Sequence, residues 1–402
     1  MALSRFRLVV AVATAVLLGA CSSAGTSQSP ASPAAAVPIK LTWISIANWL
    51  VEIGNTRILI DAYYTRSGDP AANAQSSPLF TQQGTLGIDY TNKPIASDRS
   101  AVQTVLNAID YKSRKISYML AGHSNFDHDP DAPLVAQLTG AEIIGPPTTC
   151  YQAEAEGIPA SQCKAVNGGE SFNLGNGATL YITHINHSGN NTNTDLHQPG
   201  ELTAPPKLDS ASTAAGLRWG ILEDMPNGGG GRMFLIKVKQ PGGKTLSMTY
   251  QDTGSAYDFD KPINVLNCTG ADPAPCSTNS PGPTFPSPAD NMAAAVKQAG
   301  LSSVDLWIEG ADPALAGLEI PILNPKWYLP THWDGLWAPF LKGMPVPFKA
   351  PAGWDALLAA HGVQQLAPGQ YMDEWVLDQS GVHTVSNHAV KQKLGLSDVQ
   401  QF

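Results

Sequence analysis

Residues 121–129 read AGHSNFDHD, so His123, Asp127, His128 and Asp129 fall within seven positions of a 402-residue chain with only nine histidines. Neutral imidazole and ionised carboxylate are ordinary ligands for zinc and similar divalent ions. Leaving a strand end on one loop, His123 and Asp127 can converge on a cation while His128 approaches from a neighbouring position. A hydrated loop or a helix-start cluster would use the same residue types, because Asp and Asn also favour N-caps. The cluster by itself leaves both readings open.

The surrounding sequence must place this loop. Residues 41–62 contain apolar, β-branched runs broken at Ala47-Asn48 and at Gly54-Asn55, the second a tight-turn signal, so the chain opens with hairpins. Helical spacing follows over 97–108, then a short strand over 116–120, and Asp129-Pro130 can cap a helix over 131–138. The histidine cluster therefore sits between a strand and a helix. Further strands are expected at 141–144, 178–186, 232–239 and 244–250, then a helix at 288–299 and strands at 304–308 and 326–329. Strands and helices mix in both halves, which points to a layered α/β sandwich. The four-glycine run from Gly228 to Gly231 lacks the Lys-Ser/Thr and helix of a phosphate loop and reads as a hairpin or mobile loop. A polar, Pro-rich stretch over 190–227 reads as a lid or as a surface insertion. Of the C-terminal tryptophans Trp327, Trp333, Trp337, Trp354 and Trp375, core packing accounts for most.

Composition narrows the setting. With 43% hydrophobic and 14% charged residues the chain can bury a sizeable core. Its 33 acidic residues outnumber 24 basic ones for a net charge of -9, with no long Lys/Arg run, which argues against a nucleic-acid partner. At the N-terminus, Arg5 and Arg7 precede an apolar run of 13 residues, Leu8 to Ala20, too short to span a bilayer as a helix. The run ends Leu18, Gly19, Ala20, Cys21 and resembles the lipobox of bacterial lipoprotein signal peptides. Residues 1–20 are thus expected to be an export signal, Cys21 a lipidated residue, and 21–39 a Ser/Ala/Pro-rich tether holding the protein at the cell membrane or envelope. In an oxidising compartment the remaining cysteines read most simply as two local disulfides, Cys150 with Cys163 and Cys268 with Cys276, while four cysteines allow three pairings and free thiols stay open.

Order along the chain adds specificity to the cluster. His-x-Asn-x-Asp-His after a strand resembles the His-x-His-x-Asp-His signature of the metallo-β-lactamase superfamily. The opening TWISIANWLVEIGNTRILIDA, ending with Asp61, looks like that family's first hairpin. THINHSG at 183–189 looks like its third histidine motif, MTYQDTG at 248–254 like its strand ending in a bridging aspartate, and LPTHWDG at 329–335 like its last histidine. The resemblance covers about residues 40–340. It implies a four-layer αββα sandwich over residues 40–402, with an insertion at about 190–230 and a C-terminal extension after about 340.

It also implies two metal positions. The first would use His123, Asn125 in place of a histidine, and His187. The second would use Asp127, His128 and His332, with Asp252 bridging the two. His187 is preferred to His184 because His-Ser-Gly follows the family pattern, and strand alternation puts the two on opposite faces. His197, His361, His383 and His388 match no motif and read as surface or packing residues. Two departures stand out: Asn125 removes an imidazole, and Gln251 stands where the family often has Gly. An amide oxygen is a poorer zinc ligand than imidazole nitrogen, so one tight zinc and one weak position are expected.

The chemistry implied is metal-assisted hydrolysis of an ester, lactone, phosphodiester or amide, with Asp127 ligating or orienting the attacking water and Asn125 either a weak ligand or an oxyanion donor. No Gly-x-Ser-x-Gly elbow supports a serine nucleophile. A small-molecule or lipid-like substrate fits this reading. The competing reading is a catalytically weak lipoprotein of the same fold that acts in binding or assembly.

Overall fold

The apolar runs that open the chain form a meander of β1 (Ile39–Ser45), β2 (Asn48–Ile53) and β3 (Thr56–Ile60), in which every residue except Lys40 is buried. A two-residue turn joins β2 to β3, with Ile53 opposite Thr56 and Gly54 in the left-handed region. The computed structural model describes residues 35–66, 94–188, 200–206, 217–218, 228–268, 280–334, 343–344 and 347–398. The expected export signal, Cys21, His197 and most of the 190–227 stretch lie outside these residues.

After β4 (Pro94–Ile95), α1 (Arg99–Ala108) starts on Asp98, whose carboxylate accepts from the amides of Ser100 and Ala101. Its Val102, Val105 and Leu106 follow helical spacing and are buried in the core, each side chain contributing about 1.5–3 kcal/mol on full burial. Then come β5 (Tyr118–Leu120), α2 (Ala132–Thr139), β6 (Glu142–Gly145), α3 (Pro147–Ala155) and β7 (Cys163–Ala165). Asp131 stands at the start of α2, yet its side chain makes no cap bond there. Instead its carboxylate takes the amides of Tyr64 and Thr65 and the Thr65 hydroxyl, so it braces the loop after β3. The Cys150–Cys163 disulfide ties α3 to β7. Cys276 lies outside the described residues, and with it the second expected pair.

The second half supplies β8 (Ser171–Gly175), β9 (Ala178–Ile185), β10 (Gly200–Leu202), β11 (Leu217–Arg218), β12 (Gly231–Lys239) and β13 (Thr245–Tyr250). Next are β14 (Ile263–Cys268), β15 (Pro281–Phe285), α4 (Pro288–Ala299), β16 (Leu306–Glu309), α5 (Pro313–Leu323) and β17 (Trp327–Pro330). The chain closes with α6 (Trp354–His361), β18 (Gln364–Gln365), β19 (Asp373–Asp378), β20 (Gly381–Val385) and α7 (His388–Lys393).

Two large sheets result. One runs β20-β19-β1-β2-β3-β5-β6-β7 and the other β18-β17-β16-β13-β12-β9-β8. Period-two alternation stacks them: Phe234, Ile236, Leu306 and Ile308 join a core shared with β1, β2 and β3. Met233, Leu235 and Trp307 point the other way, into a second core with Met292 and Val296 of α4, Leu315 and Ile320 of α5, and Trp354 of α6. The fold is therefore the four-layer αββα sandwich expected from the resemblance. The segment after 340 contributes to both sheets, with β19 pairing antiparallel to β1 and β18 parallel to β17.

Direction matters for the site. β3, β5, β6 and β7 run parallel in the first sheet. In the second, β9 and β13 both run antiparallel to β12, and β13, β16 and β17 run parallel. Asp61, the histidine loop, His187, Asp252 and His332 follow the carboxyl ends of β3, β5, β9, β13 and β17 respectively. In open α/β sheets, ligands bind outside such ends.

Candidate metal centre

The loop between β5 and α2 delivers His123, Asn125, Asp127 and His128 together, and the second sheet brings the remaining groups to them. Asp127, His128 and His332 each offer one ligand atom, all within 4.8 Å of one another, and His123, His128 and Asp252 form a second such group. All of these residues are buried. His332 Nε2 stands 3.0 Å from His128 Nε2 and 3.2 Å from an Asp127 oxygen. On the other side, His187 Nε2 lies 3.2 Å from His123 Nε2 and 3.1 Å from the Asn125 amide nitrogen. Asp252 Oδ2 lies between the two, 3.2 Å from His123 Nδ1 and 2.9 Å from His128 Nδ1.

His184 goes elsewhere. Its Nε2 meets the Gly229 carbonyl at 2.8 Å and its ring packs on Phe285. His383 sits on the surface with Ser380 and Asp378, and His388 with Asp398.

Three acceptors set the tautomers. His123 Nδ1 faces Asp252, His128 Nδ1 faces Asp61 at 3.0 Å as well as Asp252, and His187 Nδ1 faces the Ser188 carbonyl at 2.7 Å. A ring that donates through Nδ1 presents its Nε2 lone pair, so the lone pairs of His123, His128 and His187 all turn inward. Lone pairs facing each other near 3 Å repel unless a proton or a cation lies between them. Charge makes the same demand. Burial opposes a charge on His128, but Asp127 and Asp252 outweigh it and hold its imidazole protonated well above the usual range. Burial likewise opposes ionisation of Asp252, yet His123 and His128 keep its carboxyl well below the ordinary value. Burial together with the nearby His123 pushes His187 down to about 3, against the weaker opposing pull of the Ser188 carbonyl and Asp127.

These residues fit a divalent ion. Asp252 Oδ1 is buried and accepts no hydrogen bond among the described residues, although a carboxylate oxygen sealed from water ordinarily finds a partner. An ion of charge two could take the place of the His128 proton and use that oxygen.

Several supporting residues were not singled out by their sequence context. Asp61, noted only as the end of a hairpin, accepts from the Gly122 amide at 2.8 Å and from the Tyr250 hydroxyl at 2.6 Å while facing His128. Its burial and the charge of Asp252 raise its carboxyl to about 7. Gly122 leaves room for the bridge: a Cβ there would stand 2.3 Å from Asp252 Oδ2. Both Asp61 and His332 adopt left-handed backbone, at φ 54 and φ 62, a costly conformation for residues with a Cβ. The His332 amide is held by the Ile46 carbonyl at 3.1 Å. The four-glycine run proves to be a packed turn. The Gly228 and Gly229 amides donate to the Gly200 carbonyl, and a Cβ at Gly230 would meet the Ile185 carbonyl at 2.4 Å. Just beyond it the Arg232 amide donates to the Gly122 carbonyl at 2.6 Å, which anchors the histidine loop to the second sheet.

No protein-family profile matches the chain. A protein of Pyrobaculum arsenaticum described as a UPF0173 metal-dependent hydrolase is 28% identical over 152 residues, 38% of this chain and 52% of that one. One of Pyrobaculum islandicum with the same description is 26% identical with the same coverage. The chain thus spans about half the length of the curated relatives it matches. Among solved structures, Igni18, a metallo hydrolase from Ignicoccus hospitalis, aligns with 85% of this chain and 99% of its own, at 14% identity and a TM-score of 0.43. BJP-1, a subclass B3 metallo-β-lactamase of Bradyrhizobium japonicum, aligns with 67% and 74%, at 14% identity and a TM-score of 0.31.

Proposed function

We propose that the chain is a metal-dependent hydrolase that works with one tightly held zinc on Asp127, His128 and His332, assisted by Asp252, and a weaker position at His123 and His187. The observation that carries this is the convergence of Asp127 with the Nε2 atoms of His128 and His332, each ring nitrogen facing a carboxylate oxygen or another ring nitrogen at 3.0–3.5 Å. A bound zinc would supply Lewis acidity and lower the pKa of a water in the site towards neutrality.

The chain's own residues do the rest. Asp127 holds a carboxylate against His332, where it can orient water and take its proton. Asp61 and Asp252 keep the His128 proton on Nδ1, so Nε2 stays available. Asn125 carries an amide N–H next to His187, where it can also donate to negative charge developing on a substrate oxygen. The substrate class on this reading is an ester, lactone, phosphodiester or amide, small or lipid-like, met at the envelope by a protein lipidated on Cys21.

Elemental analysis of purified protein, followed by a screen of esters, lactones, phosphodiesters and amides with and without chelator, tests the reading. One zinc per chain and chelator-sensitive turnover are expected. A metal-free, inactive protein of native fold would overturn it in favour of a binding or assembly role. Asn125→Ala with unchanged metal content and lowered turnover supports the oxyanion role. Mass spectrometry of the native N-terminal peptide checks the anchor, and an unmodified peptide starting at Met1 rejects it.

A further inference from the structure

Gln251 directly precedes the bridging aspartate, and its side chain turns away from the centre. Its Nε2 donates to Glu319 Oε1 at 2.6 Å, on the face of α5 that also buries Leu315, Ala316, Ile320 and Leu323. Gln251 is 1% exposed and Glu319 0%. Gln251 Oε1 accepts no hydrogen bond among the described residues, and Glu319 Oε2 no well-formed one. Half-satisfied polar groups in a core cost about 1–3 kcal/mol each, whereas a matched apolar pair costs next to nothing. Stability alone would therefore favour leucines here.

We propose that Gln251 and Glu319 are a positioning pair for Asp252, holding its carboxylate at the metal position from the α5 side. The proposal rests on the metal-centre reading above. The main chain of Gln251 is fixed to β16 through its amide and the Ile308 carbonyl at 2.9 Å, so the Glu319 contact adds a second tether from another layer. The turn after Asp252 is folded onto this tether: a Cβ at Gly254 would stand 2.7 Å from both Gln251 Nε2 and Leu315 Cδ2. Downstream, Thr253 Oγ1 accepts from the Ser188 amide at 2.8 Å, beside His187. Asp252 itself has almost no room to move, because Gly122 lies directly against its carboxylate. A shift of a few tenths of an ångström at residue 251 would thus be felt at the oxygen that the ion uses.

A pair that merely secures α5 would affect folding and nothing else. The two roles separate by measuring zinc affinity, through competition with a chromophoric chelator, alongside Tm on the full chain. Gln251→Leu and Glu319→Leu should each weaken zinc binding by about 10- to 100-fold, the range for residues that orient ligands. The Gln251→Leu/Glu319→Leu double variant removes both partners together and leaves only the Trp307 indole N–H beside the new side chains, so its Tm should lie above that of either single variant while its zinc affinity stays low. Glu319→Gln keeps the acceptor and should keep the affinity. A double variant that binds zinc as tightly as the parent overturns the positioning role while leaving the centre intact. A parent protein that binds no zinc at all overturns the centre, and this proposal with it.

Discussion

On the His332 side of the centre a carboxylate and two ring nitrogens converge, whereas on the His187 side an amide N–H points at a ring nitrogen. The first arrangement sets a carboxylate against a ring that the neighbouring carboxylates hold protonated, a proton whose place a cation can take. The second already satisfies one lone pair with a neutral donor, so little electrostatic demand remains. Two positions lined by similar residues on either side of Asp252 should therefore differ sharply in affinity, and the difference traces to one residue, Asn125.

Removing the charged side should have the largest effect. His128→Ala takes away the ring shared by both groups and should lower zinc affinity on the order of 100-fold or more, with turnover falling in parallel; unchanged stoichiometry by elemental analysis would break the asymmetry. Asp61→Asn should come next. The amide can no longer hold a proton firmly on His128 Nδ1, and a chelator competition should show a loss of about 10- to 100-fold. Gly122→Ala tests the bridge itself. Its new Cβ must displace the Asp252 carboxylate, so thermal or urea denaturation should register a loss of about 1–3 kcal/mol, with weaker zinc binding alongside. The smallest change to the tight ion is expected from Asn125→His, which restores an imidazole on the weak side and should raise stoichiometry from one towards two. A parent protein that already holds two chelator-resistant ions would erase the comparison.

Local chemistry made much of this readable along the chain. The β1–β3 meander, α1, α4 and the core strands of the second sheet announce themselves by period-two or helical spacing and by turn residues such as Gly54-Asn55 and Gly300. α5 did not. It is apolar on nearly every side because it lies between α4, α6 and the sheet, and its one charged core residue, Glu319, carries no local sign of a partner 68 positions away. The start of α2 illustrates the opposite error. The sequence puts the cap at Asp129-Pro130, but α2 begins at Ala132 after Asp131, and the Asp129 carboxylate accepts from the Thr149 hydroxyl at 2.7 Å instead.

The sequence by itself determined which groups are available: the residue types of the histidine loop, the missing imidazole at Asn125, and strands of the right pattern for two stacked sheets. Those properties are local, because ligand chemistry and backbone periodicity depend on residue identity and near neighbours. Only the tertiary structure decided that five carboxyl ends meet at one place, that His187 rather than His184 faces His123, and that β19 closes the first sheet beside β1. It also decided that Asp61 and Asp252 share His128, that Gly122 stands against the Asp252 carboxylate, and that the neighbouring Gln251 reaches Glu319. Such pairings span up to hundreds of positions in sequence, and they are selected by how two sheets and their helices pack, which no single stretch of chain encodes.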